Sequence, residues 1–171
     1  MTKHATTFGG SEFEEGSSEY EDSIKIGEHL AKLGYGVRCG GYYGLMEAVA
    51  RGVAEAGGQC EGITNASFDP KDANRFVTSE RKGCDLFERL RWLIQDSELF
   101  VIQKGSLGTL VELMLVWCLK YTDTMPNIRI FLIGECWHPV IEGLRATAIK
   151  PEFFSLITIY DSVDQFTSEV E

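Results

Sequence analysis

The sequence predicts an α/β fold, a Rossmann-like doubly wound parallel sheet with helices on both faces. Two observations carry this expectation. Short apolar runs suited to strands alternate with amphipathic helical stretches along all 171 residues, a pattern that builds parallel strands joined by crossover helices. No linker or internal repeat interrupts the alternation, so residues 1–171 read as a single nucleotide-binding α/β domain.

The elements follow in order. "HATTFGG" reads as a first strand running into a glycine turn, and "SEFEEGSSEYED" as a solvated acidic loop. Ser18 and Glu21 have capping-box spacing, so a helix is expected to start there, carry Ile24, Leu30 and Leu33, and stop at Gly34. "YGVRCGG" is a strand ending in a glycine pair. "LMEAVARGVAEAGG" repeats Leu45, Val49 and Val53 at helical spacing before a glycine stop. "QCEGIT" reads as the third strand. Residues 65–80, with Pro70, read as the longest loop, and a helix is expected over about 82–97 with Leu86, Leu90 and Leu93 on one face. "ELFVIQ" is a strand. "LVELMLVWCLKY" is apolar nearly all round and is expected to be a central buried helix, 107–119. "IRIFLIG" is a strand; a helix near 137–148, a strand near 156–160 and a short terminal helix complete the pattern.

Composition narrows the function. The apolar share is 44% and the charged share 25%, so the chain as a whole is expected to pack rather than stay disordered. A net charge of −10 argues against nucleic acid or anionic membrane as partner, because both require cationic surface. No stretch has the length of a membrane span, and "MTKHATTFGG" lacks the apolar core of a signal peptide; a cytoplasmic protein is expected. Cys39, Cys60, Cys84, Cys118 and Cys136 lie in or beside apolar runs without a C-x-x-C pair, and are expected to be buried reduced thiols. His4, His29 and His138 are isolated, so no metal site is expected.

Three of the predicted strands end in glycine turns: Gly9-Gly10-Ser11, Gly40-Gly41 and Gly105-Ser106. In a parallel sheet they fall on one rim, where ligands bind. One such turn is an ordinary strand-to-helix connection. Three together favour an anion cradle, because glycine admits close backbone approach and a helix start offers unpaired N–H groups. Neither G-x-G-x-x-G nor G-x-x-x-x-G-K-[ST] is present.

"GGYYGLM" (40–46) and "KGSLGTLVE" (104–112) resemble the G-G-x-x-G-L-M and P-G-G-x-G-T-x-x-E elements of the Lonely Guy (LOG) family, often mislabelled lysine decarboxylases. Arg89 precedes Glu112 by the family's spacing (112 − 89 = 23), and Gly10-Ser11 matches an early G-S pair. Three positions depart from the pattern: Lys104 replaces proline, Ser106 replaces the second glycine, and Glu47 stands where another glycine is frequent.

The resemblance implies a phosphoribohydrolase that cuts the N-glycosidic bond of a nucleoside 5′-monophosphate, AMP or an N6-modified (cytokinin-type) adenylate, giving free base and ribose 5-phosphate. It implies no cofactor and no metal, and a homodimer. The site it implies has Glu112 and Arg89 as catalytic residues. Gly10, Ser11, Gly40, Gly41, Gly44, Met46, Lys104, Gly105, Ser106, Gly108 and Thr109 would hold the nucleotide, with Lys104 bringing a cation near the phosphate.

The residues themselves agree with this chemistry. Cleaving a ribosyl–base bond builds positive charge on the sugar, which a carboxylate stabilises. Glu112 sits on an otherwise apolar helix, where an unpaired carboxylate is costly. Arg89 stays charged and suits a holding role; a purely structural ion pair with Glu112 is the competing reading. For the whole protein the competing reading is a non-catalytic carrier of the same fold, similar to the molybdenum-cofactor carrier proteins, which hold a phosphorylated pterin without cleaving it.

Overall fold

The computed structural model describes residues 3–68 and 72–171; Pro70 of the expected loop lies outside the described residues. Strand β1 (His4–Phe8) leads into helix α1 (Ser18–Lys32) and β2 (Gly36–Cys39) into α2 (Leu45–Glu55). Strand β3 (Cys60–Asn65) runs through a 3₁₀ turn (Ala66–Phe68) towards β4 (Ser79–Gly83). Then come α3 (Leu86–Ile94), β5 (Ser97–Ile102), α4 (Leu107–Tyr121), β6 (Arg129–Ile133) and α5 (Trp137–Leu144). A second 3₁₀ segment (Pro151–Leu156), β7 (Thr158–Tyr160) and α6 (Val163–Glu169) follow.

The seven strands form one sheet in the order β4-β3-β2-β1-β5-β6-β7, every neighbouring pair parallel. This is the doubly wound Rossmann-like architecture that the alternation predicts. The central strands are covered on both faces, which is why "LFVI" and "IFLI" are continuously apolar instead of alternating. One face packs under α1, α2 and α6 through Ile26, Leu30, Val49, Val53 and Phe166. The other packs under α3, α4 and α5 through Leu93, Leu113, Trp117 and Trp137. Helices α1 and α2 meet through Gly27 and Gly52, where an added Cβ would strike the Val49 and Ile24 carbonyl oxygens respectively.

Several expectations are corrected. Ser17, not Ser18, caps α1: its backbone is extended and its Oγ accepts the Tyr20 N–H at 3.3 Å, whereas Ser18 is already helical and turns to Glu19. The loop expected over 65–80 ends in strand β4, so α3 begins at Leu86 behind the Asp85 cap, not near 82. "SERKG" carries no apolar alternation because it is an edge strand, paired only with β3. Arg81 lies on that edge with its guanidinium 4.3 Å from the Trp92 ring centroid. Helix α4 is buried on one side only: Leu107 is 79% and Val111 50% exposed. The helix expected to reach 148 stops at Leu144, beyond which i→i−3 turn bonds replace the helical ladder. Cys39 and Cys60 are buried as expected, but Cys84, Cys118 and Cys136 are exposed, because they stand in a loop, on the outer side of α4 and at the start of α5; all five are free thiols. Among the described residues no helix is long and apolar enough to cross a membrane, and no cluster of potential metal ligands is found.

Candidate functional site

Strand β1 pairs with both β2 and β5, so consecutive crossovers run outwards in opposite directions from it. A crevice opens at such a switch point, beyond the carboxyl ends of the strands. Here it is a cleft of about 270 Å³. Thr7, Phe8, Gly9 and Gly10 line it from the end of β1, Gly40 and Met46 from around the turn after β2, and Ser106, Gly108 and Thr109 from the start of α4.

The three glycine turns predicted to share a rim are bonded to one another. Gly10 donates its N–H to the Lys104 carbonyl (3.0 Å), and its own carbonyl accepts the Leu45 N–H (2.9 Å). The turn after β1 is thereby held between those after β5 and β2. Gly44 and Gly105 show why this junction is built from glycine. Gly44 has φ +66°, and a Cβ there would lie 2.6 Å from the Gly10 oxygen. A Cβ on Gly105 would strike the Thr109 hydroxyl and come within 3.0 Å of the Gly10 nitrogen.

At the start of α4, Ser106 makes no side-chain capping bond, so the N–H groups of the first turn have no partner from the helix or from a cap. Unpaired N–H groups and the helix dipole together favour negative charge at such an end. Ser106 itself has φ −106°, a conformation open to any residue, so its departure from glycine leaves the turn intact.

Arg89 of α3 and Glu112 of α4 also line the cleft. Arg89 Nε donates to the Ile63 carbonyl (2.8 Å) and Nη2 to the Gly40 carbonyl (3.3 Å), while Nη1 lies 3.4 Å from Glu112 Oε1. Both side chains are about nine-tenths buried. Burial pushes the Glu112 carboxyl up to about 7, although the Arg89 charge and hydrogen bond pull it down. The cleft thus holds, beside a helix N-terminus whose side-chain cap is missing, a buried carboxyl with a raised affinity for protons. Such a group can stabilise a developing cation or take a proton from water.

Of the residues singled out from the sequence, the cleft brings together Gly10, Ser11, Gly40, Met46, Ser106, Gly108, Thr109, Arg89 and Glu112. Gly41, Gly44 and Gly105 stand behind the wall and shape the turns. Lys104 is not on the cleft wall. Its Nζ lies 3.0 Å from Glu19 Oε1, and it faces a neighbouring pocket with Gln103, Glu135 and Asp161. The two charges hold each other, Glu19 shifted down and Lys104 up by their mutual hydrogen bond. Sequence reading missed Tyr42, Tyr43 and Phe68, which also line the cleft. The adjacent tyrosines inside the glycine motif were the available signal for two of them.

Sheet order and the switch-point cleft define a Rossmann-like α/β fold. The chain belongs to the SLOG cluster4 family, whose model matches residues 4–125; the SLOG superfamily includes the LOG family. No curated protein matches the sequence. Among solved structures it is similar to the molybdenum cofactor binding protein from the phototrophic bacterium Rippkaea orientalis, at 18% identity and TM-score 0.73 over 98% of this chain and 94% of that one. It is also similar to the molybdenum cofactor carrier protein from Chlamydomonas reinhardtii (18% identity, TM-score 0.69, 98% and 96% covered). A third likeness is DNA processing protein A from Helicobacter pylori (14% identity, TM-score 0.63, 98% and 80% covered).

Proposed function

We propose that this protein is a phosphoribohydrolase acting on nucleoside 5′-monophosphates, AMP or an N6-modified adenylate. The observation that carries the proposal is the buried Arg89–Glu112 pair beside the open N-terminus of α4 in one cleft. The 5′-phosphate binds at the first turn of α4, aided by the Thr109 hydroxyl. This directs the ribose towards Glu112. As the C1′–N bond breaks, its electron pair leaves with the base and positive charge develops on the sugar, opposite the Glu112 carboxylate. Water attacks C1′ and gives its proton to Glu112, whose elevated affinity for protons suits it to accept one. The departing base is protonated from solvent. Arg89 orients the carboxylate and offsets part of the burial that favours its protonated form. No metal or cofactor takes part.

A carrier that holds a phosphorylated heterocycle without cleaving it is the second reading. It is favoured by the departure at Lys104, whose charge is committed to Glu19 away from the cleft, and the structurally similar Chlamydomonas reinhardtii protein is a molybdenum cofactor carrier. A panel of nucleoside monophosphates assayed for ribose 5-phosphate separates the two. Release from at least one supports hydrolysis; binding without release from any supports the carrier.

The same reading includes a homodimer in the cytoplasm. Leu107, Val111 and Tyr121 expose apolar surface along α4, and Leu86 and Phe87 do so at the start of α3. Covering that surface with a second copy is favourable at roughly 25 cal/mol per Å². Light scattering at micromolar concentration is expected to give twice the 19.1 kDa chain mass; a monomer would contradict it.

A further inference from the structure

The phosphate cradle and the carboxylate leave one wall of the cleft unexplained. Tyr43 is 48% and Phe68 47% exposed, and both line the cleft together with the buried Tyr42. The residues behind them are hydrogen-bonded to one another. The Tyr42 hydroxyl accepts the Asn65 N–H (2.8 Å) and donates to the Asn65 carbonyl (3.3 Å). Asn74 Nδ2 donates to the carbonyls of Gly41 (3.1 Å) and Tyr42 (2.8 Å), and its Oδ1 accepts the Phe76 N–H. The segment that presents Tyr43 is therefore pinned on both sides of Tyr42. Phe68 leans on the Tyr42 ring at 6.2 Å between centroids, tilted by 50°.

The polar groups of Tyr42 and Asn74 are thus committed inward, and what this wall presents to a ligand is aromatic ring. Two half-exposed rings in a cleft, one on a hydrogen-bonded segment and one leaning on the buried Tyr42, suit a planar heterocycle, which gains contact by stacking whatever its hydrogen-bonding edge. We propose that Tyr43 and Phe68 are the base-recognition residues of this site. They select the ligand by the extent of its ring system, purine over pyrimidine, and not by the donor and acceptor pattern of the base. This rests on the nucleoside-monophosphate reading above, and it names the part of the substrate that the glycine turns and Glu112 do not contact.

The test is calorimetric titration of the full chain with AMP, GMP, CMP and ribose 5-phosphate. AMP and GMP are expected to bind within a few-fold of each other, more tightly than CMP, with ribose 5-phosphate weakest. Tyr43→Ala and Phe68→Ala are each expected to reduce the advantage of AMP over ribose 5-phosphate by about tenfold, leaving ribose 5-phosphate affinity unchanged. Tyr43→Phe should retain the advantage, because the ring and not the hydroxyl makes the contact. Both rings are half exposed, so their removal leaves the core intact. An AMP advantage that survives both alanine variants overturns the proposal, as does a Tyr43→Phe variant that loses as much as Tyr43→Ala. If ribose 5-phosphate binds and AMP binds no better, the stacking wall fails while the cradle stands. If neither binds, the cradle fails and the wall with it.

Discussion

Arg89 Nη1 lies 3.4 Å from Glu112 Oε1 with both side chains buried, and the same guanidinium ties the end of β3 to the turn after β2 through the Ile63 and Gly40 carbonyls. One arginine therefore serves two purposes: it fixes the position of a carboxylate in the cleft and it closes the local structure around it. The consequences of changing either partner differ accordingly.

Glu112→Gln keeps the shape of the side chain and removes its charge. In the proposed mechanism turnover should fall by ~10²–10³, the usual cost of losing one well-placed electrostatic contact. Nucleotide affinity should fall much less, because the phosphate is held by the backbone at the start of α4. Comparing kcat with the calorimetric Kd separates these effects; equal losses in both would assign Glu112 to binding.

Arg89→Ala removes the partner of a buried charge and the donor to two buried carbonyls. Breaking a buried pair in this way commonly costs about 3–5 kcal/mol, so the variant should unfold at markedly lower denaturant concentration. Glu112 can relieve part of the loss by taking up a proton. The deficit should therefore be smaller at pH 6 than at pH 8, and Arg89→Ala combined with Glu112→Gln should lose that pH difference.

The Glu112 carboxyl also sets a pH dependence in the unmodified protein. Its affinity for protons is raised on folding from 4.5 to about 7, so between these values the folded state binds more protons than the unfolded state. Stability from this group is full below about pH 4.5 and is lost as pH rises through about 7. Between about pH 4.5 and 7 the parent should lose stability with rising pH more steeply than Glu112→Gln, and outside that window the two pH slopes should agree. Activity should move the other way, since the ionised carboxylate is the working form: kcat/KM should rise with pH through about 7.

Two glycines of the α4 turn separate fold from binding. Gly105→Ala would place a Cβ against the Thr109 hydroxyl and the Gly10 nitrogen, so both stability and nucleotide binding should suffer. At Gly108 an added Cβ meets nothing within 4 Å, yet the residue lines the cleft. Gly108→Ala should fold normally and weaken phosphate binding alone. Thermal melting and calorimetry on the pair check this; a normal Kd for Gly108→Ala would move the phosphate away from the start of α4.

Much of this was legible in the chain. The strand and helix alternation predicts the parallel sheet, and the turns at Gly10, Gly40 and Gly105 predict a shared rim because strand ends in such a sheet face the same way. What escaped the sequence has physical reasons. Strand β4 is polar because it is an edge, so no periodicity marks it. Ser17 and Ser18 are equally able to cap, and backbone geometry alone decides between them. Helix α4 is apolar all round, so its composition does not reveal which side meets the sheet. Lys104 adjoins the glycine turn in sequence, but its side chain leaves on the other side towards Glu19. Phe68, far from every glycine turn in sequence, joins Tyr43 at the cleft only through the fold.

The most direct test of the central claim is incubation of the purified chain with AMP, with chromatographic detection of adenine and ribose 5-phosphate, alongside Glu112→Gln. The account predicts that the parent releases the two products in equal amounts and that the variant binds AMP but releases neither at a comparable rate. A parent that binds AMP and the other monophosphates yet releases no base from any of them, or a variant that cleaves AMP as fast as the parent, would contradict it.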